Sequence, residues 1–358
     1  MRLLTRRNYM SVISAAIGLA ATMIILAKVC ANIVVGMARC HDAEYMNIIV
    51  RACWIDMFVA LMVIVIAGRN HMLFVVSSLR SSARNIAIRR CFGAGRDDVL
   101  RLTLMRGLII VLLALAGAIV IITVVMSFFK SFVCVEVEHF LHPYSLAAYG
   151  ITLCMLVLGV GVAPGFVYNS LPLTFSSQAR HKSRRTWKMG ILSMQMLFFN
   201  IMLAMSVTIY HIYNSANFNL YYNHPHEHVM EFGNTITVGC VGAALMLFLG
   251  LLFYMQQEVD SRSKEMAIRR ICGCSRQHMV WIVLGDCVKV IIPISLLAAV
   301  IAVLLISFVF SDYLVSMERP WMFVISIHIA LNFIFVLTLA VKAYSVINVN
   351  PVKKLRYE

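Results

Sequence analysis

Eight long apolar runs constrain this chain more than any other feature of its sequence. A helix needs about 20 consecutive apolar residues to cross the hydrocarbon core of a bilayer. The residues are 61% hydrophobic and 13% charged, whereas ordinary soluble domains carry about 25% charged residues. Because no soluble core can bury so much apolar surface, we predict an all-α polytopic membrane protein. Its transmembrane helices, about eight in number, are predicted at 11–36, 49–67, 103–129, 145–168, 189–212, 234–255, 279–310 and 321–341.

The basic residues are distributed unevenly along the chain. The net charge is +15, and 25 of the 31 Lys and Arg lie at the two termini and in alternate loops. Loops rich in Lys and Arg stay on the cytoplasmic side, so we expect a multi-pass protein of the bacterial inner membrane with both termini in the cytoplasm. Topology and contact with lipid headgroups then explain the basic excess, which does not indicate a nucleic-acid partner. The basic segments are 1–10, 69–106, 169–188, 256–278 and 342–358.

The chain contains an internal repeat. Residues 84–96 and 264–276 share Ala-Ile-Arg-Arg, a following Gly and a final Arg at a constant offset of 180. A second match, at an offset of 179, pairs an Asn-x-x-Pro sequence beginning at Asn169 with one beginning at Asn348. We therefore predict two tandem units, 1–180 and 181–358, each a four-helix unit. Because each unit has an even number of spans, the two repeats lie parallel in the membrane.

The repeated segment predicts a helix, a sharp bend and a second helix. Gly93 and Gly273 suit the left-handed residue that ends a helix, and Gly95 or Ser275 can cap the helix that follows. A single copy would be explained as a solvated basic collar that serves topology alone. Two copies with matched Ile, Arg and Gly positions favour an element that docks on a partner.

These residues resemble the signature of the FtsX/MacB-like ABC transporter permeases, which include the LolC and LolE type. That signature reads R-x-x-E-I-x-I-R-[RK]-x-x-G-[AC]-[ST] and follows the second span of each unit. Residues 264–275 are close to it, and residues 84–95 match it with Asn85 in place of the acid. The family's N-P-V-x-x-L-R tail is met by residues 350–356. The resemblance covers both halves of the chain.

The resemblance implies that each bend is a coupling element seated in a groove of a separate ABC-type ATPase, which acts as a dimer. The chain has no G-x-x-x-x-G-K-[ST] phosphate loop, so ATP and Mg are expected on the partner. No catalytic residue, cofactor site or enzymatic activity is expected in this chain. The expected ATPase-coupling residues are Arg84, Ile88, Arg89, Arg90, Gly93, Gly95, Lys264, Glu265, Ile268, Arg269, Arg270, Gly273 and Ser275.

The family resemblance leaves two roles open. One is a permease subunit that couples the ATPase to movement of a substrate across or out of the membrane. The other is a non-transporting regulator that relays ATPase state to a periplasmic or lipoprotein partner. The large extracytoplasmic domains usual in the family are absent here, because the loops at 37–48 and 213–233 are too short to fold as domains. An ion-coupled carrier would require midplane charges repeated in both halves, and the sequence has none.

Several polar residues within the apolar runs also need an explanation. Asp56 and Lys28 are predicted to meet near the outer leaflet, without a counterpart in the second half. A stretch of small residues around a proline, 161–165, predicts a close contact between helices. Four further residues are expected to form hydrogen bonds across helices rather than to bind substrate: Gln195, Asn200, His328 and Asn332.

The outer loops add two weaker candidates. His224, His226 and His228 have metal-ligand side chains at close spacing, although short polar loops are more often simply solvated. Cys40 and Cys53 both fall near the outer face, either as a disulfide or as two free thiols.

Overall fold

The structure is a computed structural model, and it describes residues 6–39, 43–133, 135–169, 193–208, 227–261, 263–309 and 320–347. Every secondary-structure element within these ranges is a helix. The predicted all-α class is therefore confirmed.

The first unit has six helices among its described residues. Helix α2 is long because it runs through a span and continues to the first bend. The kink in α3 is at Phe129, where the backbone leaves the helical region. The helices are α1 (Arg6–Arg39), α2 (Ala43–Cys91), α3 (Arg96–Val133), α4 (Val137–Leu141), α5 (Pro143–Val157) and α6 (Ala163–Asn169), and a π-helical turn (Leu158–Val162) joins the last two.

In the second unit the described helices follow the same succession of spans and bend. Its third span begins at Arg276, which is 180 residues after the start of α3 at Arg96. The helices described are α7 (Ser193–Thr208), α8 (Glu227–Ser261), α9 (Ser263–Ile271), α10 (Arg276–Val309) and α11 (Pro320–Ile347).

Five described helices are long and apolar enough to cross a membrane: Tyr9–Val34, Cys53–Met72, Arg96–Lys130, Pro143–Phe166 and Asn234–Leu252. Three shorter apolar helical stretches follow the remaining predicted runs: Ser193–Thr208, Ile292–Leu305 and His328–Val341. The protein is thus a polytopic membrane protein, and the total of eight spans stays a prediction.

The core lies where the two units meet. Helix α1 packs against α2 and α3 of its own unit and also against α8 of the second unit, and α2 contacts α8 as well. Leu19, Ile66 and Met246 are completely buried there. In contrast, apolar side chains on the outward faces of α3 and α10, such as Leu112 and Leu296, are largely exposed. In a bilayer those faces contact lipid.

The predicted close helix contact is present, and it joins α3 to the end of the fourth span. A Cβ atom added to Gly107 would lie 2.5 Å from the Cα atom of Gly161. One added to Gly165 would lie 2.7 Å from the Oγ1 atom of Thr103. The two backbones therefore approach at a distance that only glycine permits.

The fourth span contains a π-helical turn that the sequence did not predict. The backbone N–H of Ala163 donates to the carbonyl of Leu158, five residues earlier. Pro164 follows directly; it has no N–H to donate, and a proline ring within a helix crowds the carbonyl four residues earlier. Widening the helix by one residue just before the proline relieves that crowding.

Candidate functional site

The first bend element, residues 84–98, forms the end of α2 and the start of α3. Gly93 has a φ of 89°, in the left-handed region. Its N–H donates to the carbonyl of Arg90 at 3.0 Å, and the N–H of Ala94 donates to the carbonyl of Arg89 at 3.1 Å. These two bonds define a Schellman motif, in which a glycine satisfies the last carbonyls of a helix.

The second bend element, residues 264–278, has the same geometry. Gly273 has a φ of 88°. Its N–H donates to the carbonyl of Arg270 at 3.2 Å, and the N–H of Cys274 donates to the carbonyl of Arg269 at 2.9 Å. The predicted bends are therefore present in both units, with equivalent residues in equivalent hydrogen bonds.

The helix after each bend is capped by half of a capping box. In the first element the N–H of Gly95 donates to Oδ2 of Asp98 at 2.9 Å. In the second element Oγ of Ser275 accepts from the N–H of His278 at 3.3 Å. A full capping box contains both bonds. The first unit therefore has the bond from the N-cap N–H to the N3 side chain, and the second unit has the bond from the N3 N–H to the N-cap side chain.

A pair of buried apolar residues flanks each bend, and neither pair was predicted from the sequence. Ile86 and Val99 are buried around the first bend, and Met266 and Met279 at the equivalent positions around the second. Met266 and Met279 line one shallow pocket together with Ile282. Apolar contact between the incoming and outgoing helices restricts the angle between them. The signal in the sequence was an apolar pair, one residue on each side of the Gly, at the same offset of 180.

Other side chains of the bend elements are exposed. Ile88 and Ile268 are exposed by 48% and 59%, and Arg89 is also exposed. The side chains of Arg90 and Arg270 are half-buried. The side chains of Arg84 and Lys264 lie outside the part that the structure describes. Each bend thus exposes both basic and apolar side chains.

A polar network crosses the seam between the units, with Asn70 at its centre. Nδ2 of Asn70 donates to Oγ of Ser14 at 2.9 Å and to the carbonyl of Met246 at 2.7 Å. Nε2 of Gln195 donates to Oδ1 of Asn70 at 2.8 Å. Gly250 makes room for this network, because a Cβ atom there would lie 2.7 Å from the same Oδ1 atom. The network ties α1 and α2 to α7 and α8.

The hydrogen bonds of three of the four predicted cross-helix residues give different outcomes. Gln195 bonds across the seam, and the amide of Asn332 in α11 donates to Ser295 in α10. The amide of Asn200 instead donates to the carbonyl of Met196 in its own helix at 2.8 Å, so the cross-helix prediction for Asn200 was wrong. A carbonyl four residues earlier is the nearest acceptor to a polar side chain within a helix.

Asp56 and Lys28 are both buried in the first unit, and Lys28 lies near enough to act electrostatically on the carboxylate. Neither carboxylate oxygen has a hydrogen bond within the described residues. The equivalent positions of the second unit hold Ile236 and Thr208. Asp56 and Lys28 therefore have no charged counterparts in the second unit.

The weaker candidates fall largely outside the described residues. The structure does not describe the side chains of His224, His226, His228 and Cys40, so the metal site stays a prediction. Cys53 is a buried free thiol. Among the residues that the structure describes, no group of three or more His, Cys, Asp or Glu is arranged to hold a metal ion.

Comparison with known proteins identifies a family for most of the chain. Two stretches, 57–219 and 237–351, match the family described as FtsX-like permease C-terminal. The two matches begin 180 residues apart, which is the offset of the bend elements. No curated protein and no solved structure matches the chain. With the family matched twice, across both units, the chain belongs to the FtsX-like permease family.

Proposed function

We propose that this chain is the transmembrane permease subunit of an ATP-binding-cassette transporter, which couples a separate ATPase dimer to movement of a substrate across or out of the membrane. FtsX-like permeases generally work with an ABC ATPase. The observation that carries the proposal is the pair of bend elements. Both have the same Schellman geometry and present exposed Ile and Arg side chains at the end of a helix.

In this mechanism each bend element is the mechanical contact with one ATPase subunit. Arg89, Arg90, Arg269 and Arg270 bind acidic groups on the ATPase, and ATP and Mg are held by the ATPase alone. Helix α2 runs without interruption from its span to the first bend, so a displacement of the bend moves the span as a rigid element. Approach of the two ATPase subunits then rocks the two units about their seam.

The proposed orientation places both termini and both bend elements in the cytoplasm of a bacterial cell. The concentration of Lys and Arg in alternate segments supports it. We expect a membrane-impermeant thiol reagent applied to intact cells to label a cysteine introduced at Asn223. The same reagent should miss a cysteine introduced at Ser177, above the background of the parent protein. Labelling at Ser177 in intact cells would show that the orientation is the reverse of the proposed one, with the bend elements outside the cytoplasm and out of reach of ATP.

Reversing the paired arginines tests the function directly. We expect Arg89→Glu with Arg90→Glu, or Arg269→Glu with Arg270→Glu, to weaken retention of the ATPase in a detergent pull-down. Losing one partner of a buried, hydrogen-bonded charge pair at an interface costs about 2–5 kcal/mol. Each reversed pair alone should therefore weaken the complex, and both pairs together should abolish it.

The matched control is Lys182→Glu with Arg184→Glu, which removes as much positive charge from a basic segment outside the bend elements. Equal release by this control would mean that bulk charge holds the ATPase. Full retention after reversal of both arginine pairs would show that the bend elements are not the contact.

A further inference from the structure

The two bend elements share a backbone geometry but differ in the charge around their first arginine. In the second element, Glu265 forms an ion pair with Arg269 at 2.7 Å, and both side chains are about half exposed, at 52% and 46%. The equivalent of Glu265 in the first element is Asn85, which carries no charge. Within the described residues, the side chain of Arg89 has no ion pair or hydrogen bond. Arg269 is thus neutralised within its own helix, whereas the described residues include no such partner for Arg89.

This difference changes what each arginine can offer an acidic partner. Arg269 must give up or share its contact with Glu265 before it can bind a carboxylate on another protein. An ion pair between residues four apart on a helix weakens such competing binding by about twofold. Glu265 also brings its own negative charge to the interface, and a like charge opposite an acidic surface is unfavourable. No acid four residues earlier competes for Arg89. The acidic residues of the first element, Asp97 and Asp98, lie past the bend in the first turn of α3, where the positive end of the helix dipole and the N–H of Gly95 offset part of their charge.

The exposed apolar side chains at the bends also differ, and the larger and more exposed one belongs to the first element. Phe92 precedes the first Gly directly, and 88% of its side chain is exposed. Cys272 occupies that position in the second element, where the exposed apolar residue is Ile271, one position earlier and 73% exposed. Buried aromatic and arginine side chains carry much of the energy of protein interfaces. The first element therefore combines an Arg that has no ion pair among the described residues with a highly exposed Phe.

We propose, on the basis of the function proposed above, that the first bend element is the stronger attachment point and that the two elements bind their ATPase subunits unequally. The partner surface at the first element is an acidic groove with an apolar pocket for Phe92. Two identical ATPase subunits would then meet two unequal contacts on one chain. The second element binds more weakly and releases first.

Exchanging the residues four positions before the arginines tests this inequality. The assay is the apparent affinity of the full-length permease, held in detergent, for the ATPase at a fixed salt concentration. Asn85→Glu should lower the apparent affinity about threefold or more, because it both pairs Arg89 and adds a like charge. Glu265→Asn should raise it about twofold, because it frees Arg269. Phe92→Ser should weaken the complex more than Cys272→Ser.

The possible outcomes separate this inference from the function on which it rests. Glu265 is exposed, and Asn85 lies before the bend, so an unchanged elution volume on size exclusion will show that both variants are folded. If Asn85→Glu has no effect, or Glu265→Asn weakens binding, the two elements are not unequal in the proposed way. That result leaves the proposed function standing as long as the double arginine reversal still releases the ATPase. If that reversal leaves the ATPase bound, the result contradicts both the proposed function and the proposed inequality.

Discussion

Replacing Gly107 with valine is expected to prevent the protein from folding in the membrane. A Cβ atom at this position would lie 2.5 Å from Cα and 2.8 Å from the backbone N of Gly161. The neighbouring atoms belong to the backbone of the π-helical turn, so no side chain can rotate to make room. The cost should exceed the roughly 1–3 kcal/mol of ordinary overpacking and approach the exceptional values above about 4–5 kcal/mol. Size-exclusion chromatography of the extracted protein, with its melting temperature, measures the effect.

Gly150→Val is the matched control. It makes the same change in a transmembrane helix, at an exposed position where no atom lies within 4 Å of the added Cβ atom. We expect this variant to be extracted and to migrate like the parent. If Gly107→Val behaved equally well, α3 and the end of the fourth span would not be in the close contact described.

Asn70→Leu is expected to destabilise the seam between the two units by about 2–4 kcal/mol. Leucine has a similar size but removes both donated bonds and the acceptor for Gln195, whose side chain is only 1% exposed. Each hydrogen bond between transmembrane helices contributes about 0.6 kcal/mol on average. Leaving a buried amide without its acceptor costs about 1–3 kcal/mol more. Unfolding of the purified protein by denaturant measures the loss.

A double-mutant cycle separates this network from ordinary packing. Gln195→Leu alone should also destabilise the protein, because it removes the bond to Asn70. The double variant should lose less free energy of unfolding than the sum of the two single variants, since the second substitution no longer leaves a buried polar group without its hydrogen bond. Strictly additive losses would show that Asn70 and Gln195 do not interact across the seam.

The bend elements were predictable from the sequence because the rules that produce them are local. Each element lies within about 15 residues. It contains two arginines in the last turn of a helix, a glycine with positive φ, and an N-cap residue that forms a hydrogen bond with the residue three positions later. Repetition at an offset of 180 made the pattern stand out from chance. The membrane spans were predictable for a similar reason, because length and hydropathy alone decide whether a helix can cross a bilayer.

The seam network was not predictable in the same way. Asn70 stands alone in an apolar run, and its equivalent in the second unit is Gly250. Its partners lie 56, 125 and 176 residues away along the chain. No local rule connects residues at such separations, so the repeat that revealed the bends gave no signal for the network.

The sequence by itself determined the helical class, the positions of the five spans that the structure describes and the geometry of the two bends. Only the tertiary structure decided which face of each span meets another helix and which face is exposed. Lipid tails and neighbouring helices are both apolar, so hydropathy alone does not separate the buried face of α1 from the exposed face of α3, although small residues are more frequent on the buried face. The π-helical turn, the Gly107 contact and the Asn70 network all depend on that choice of face.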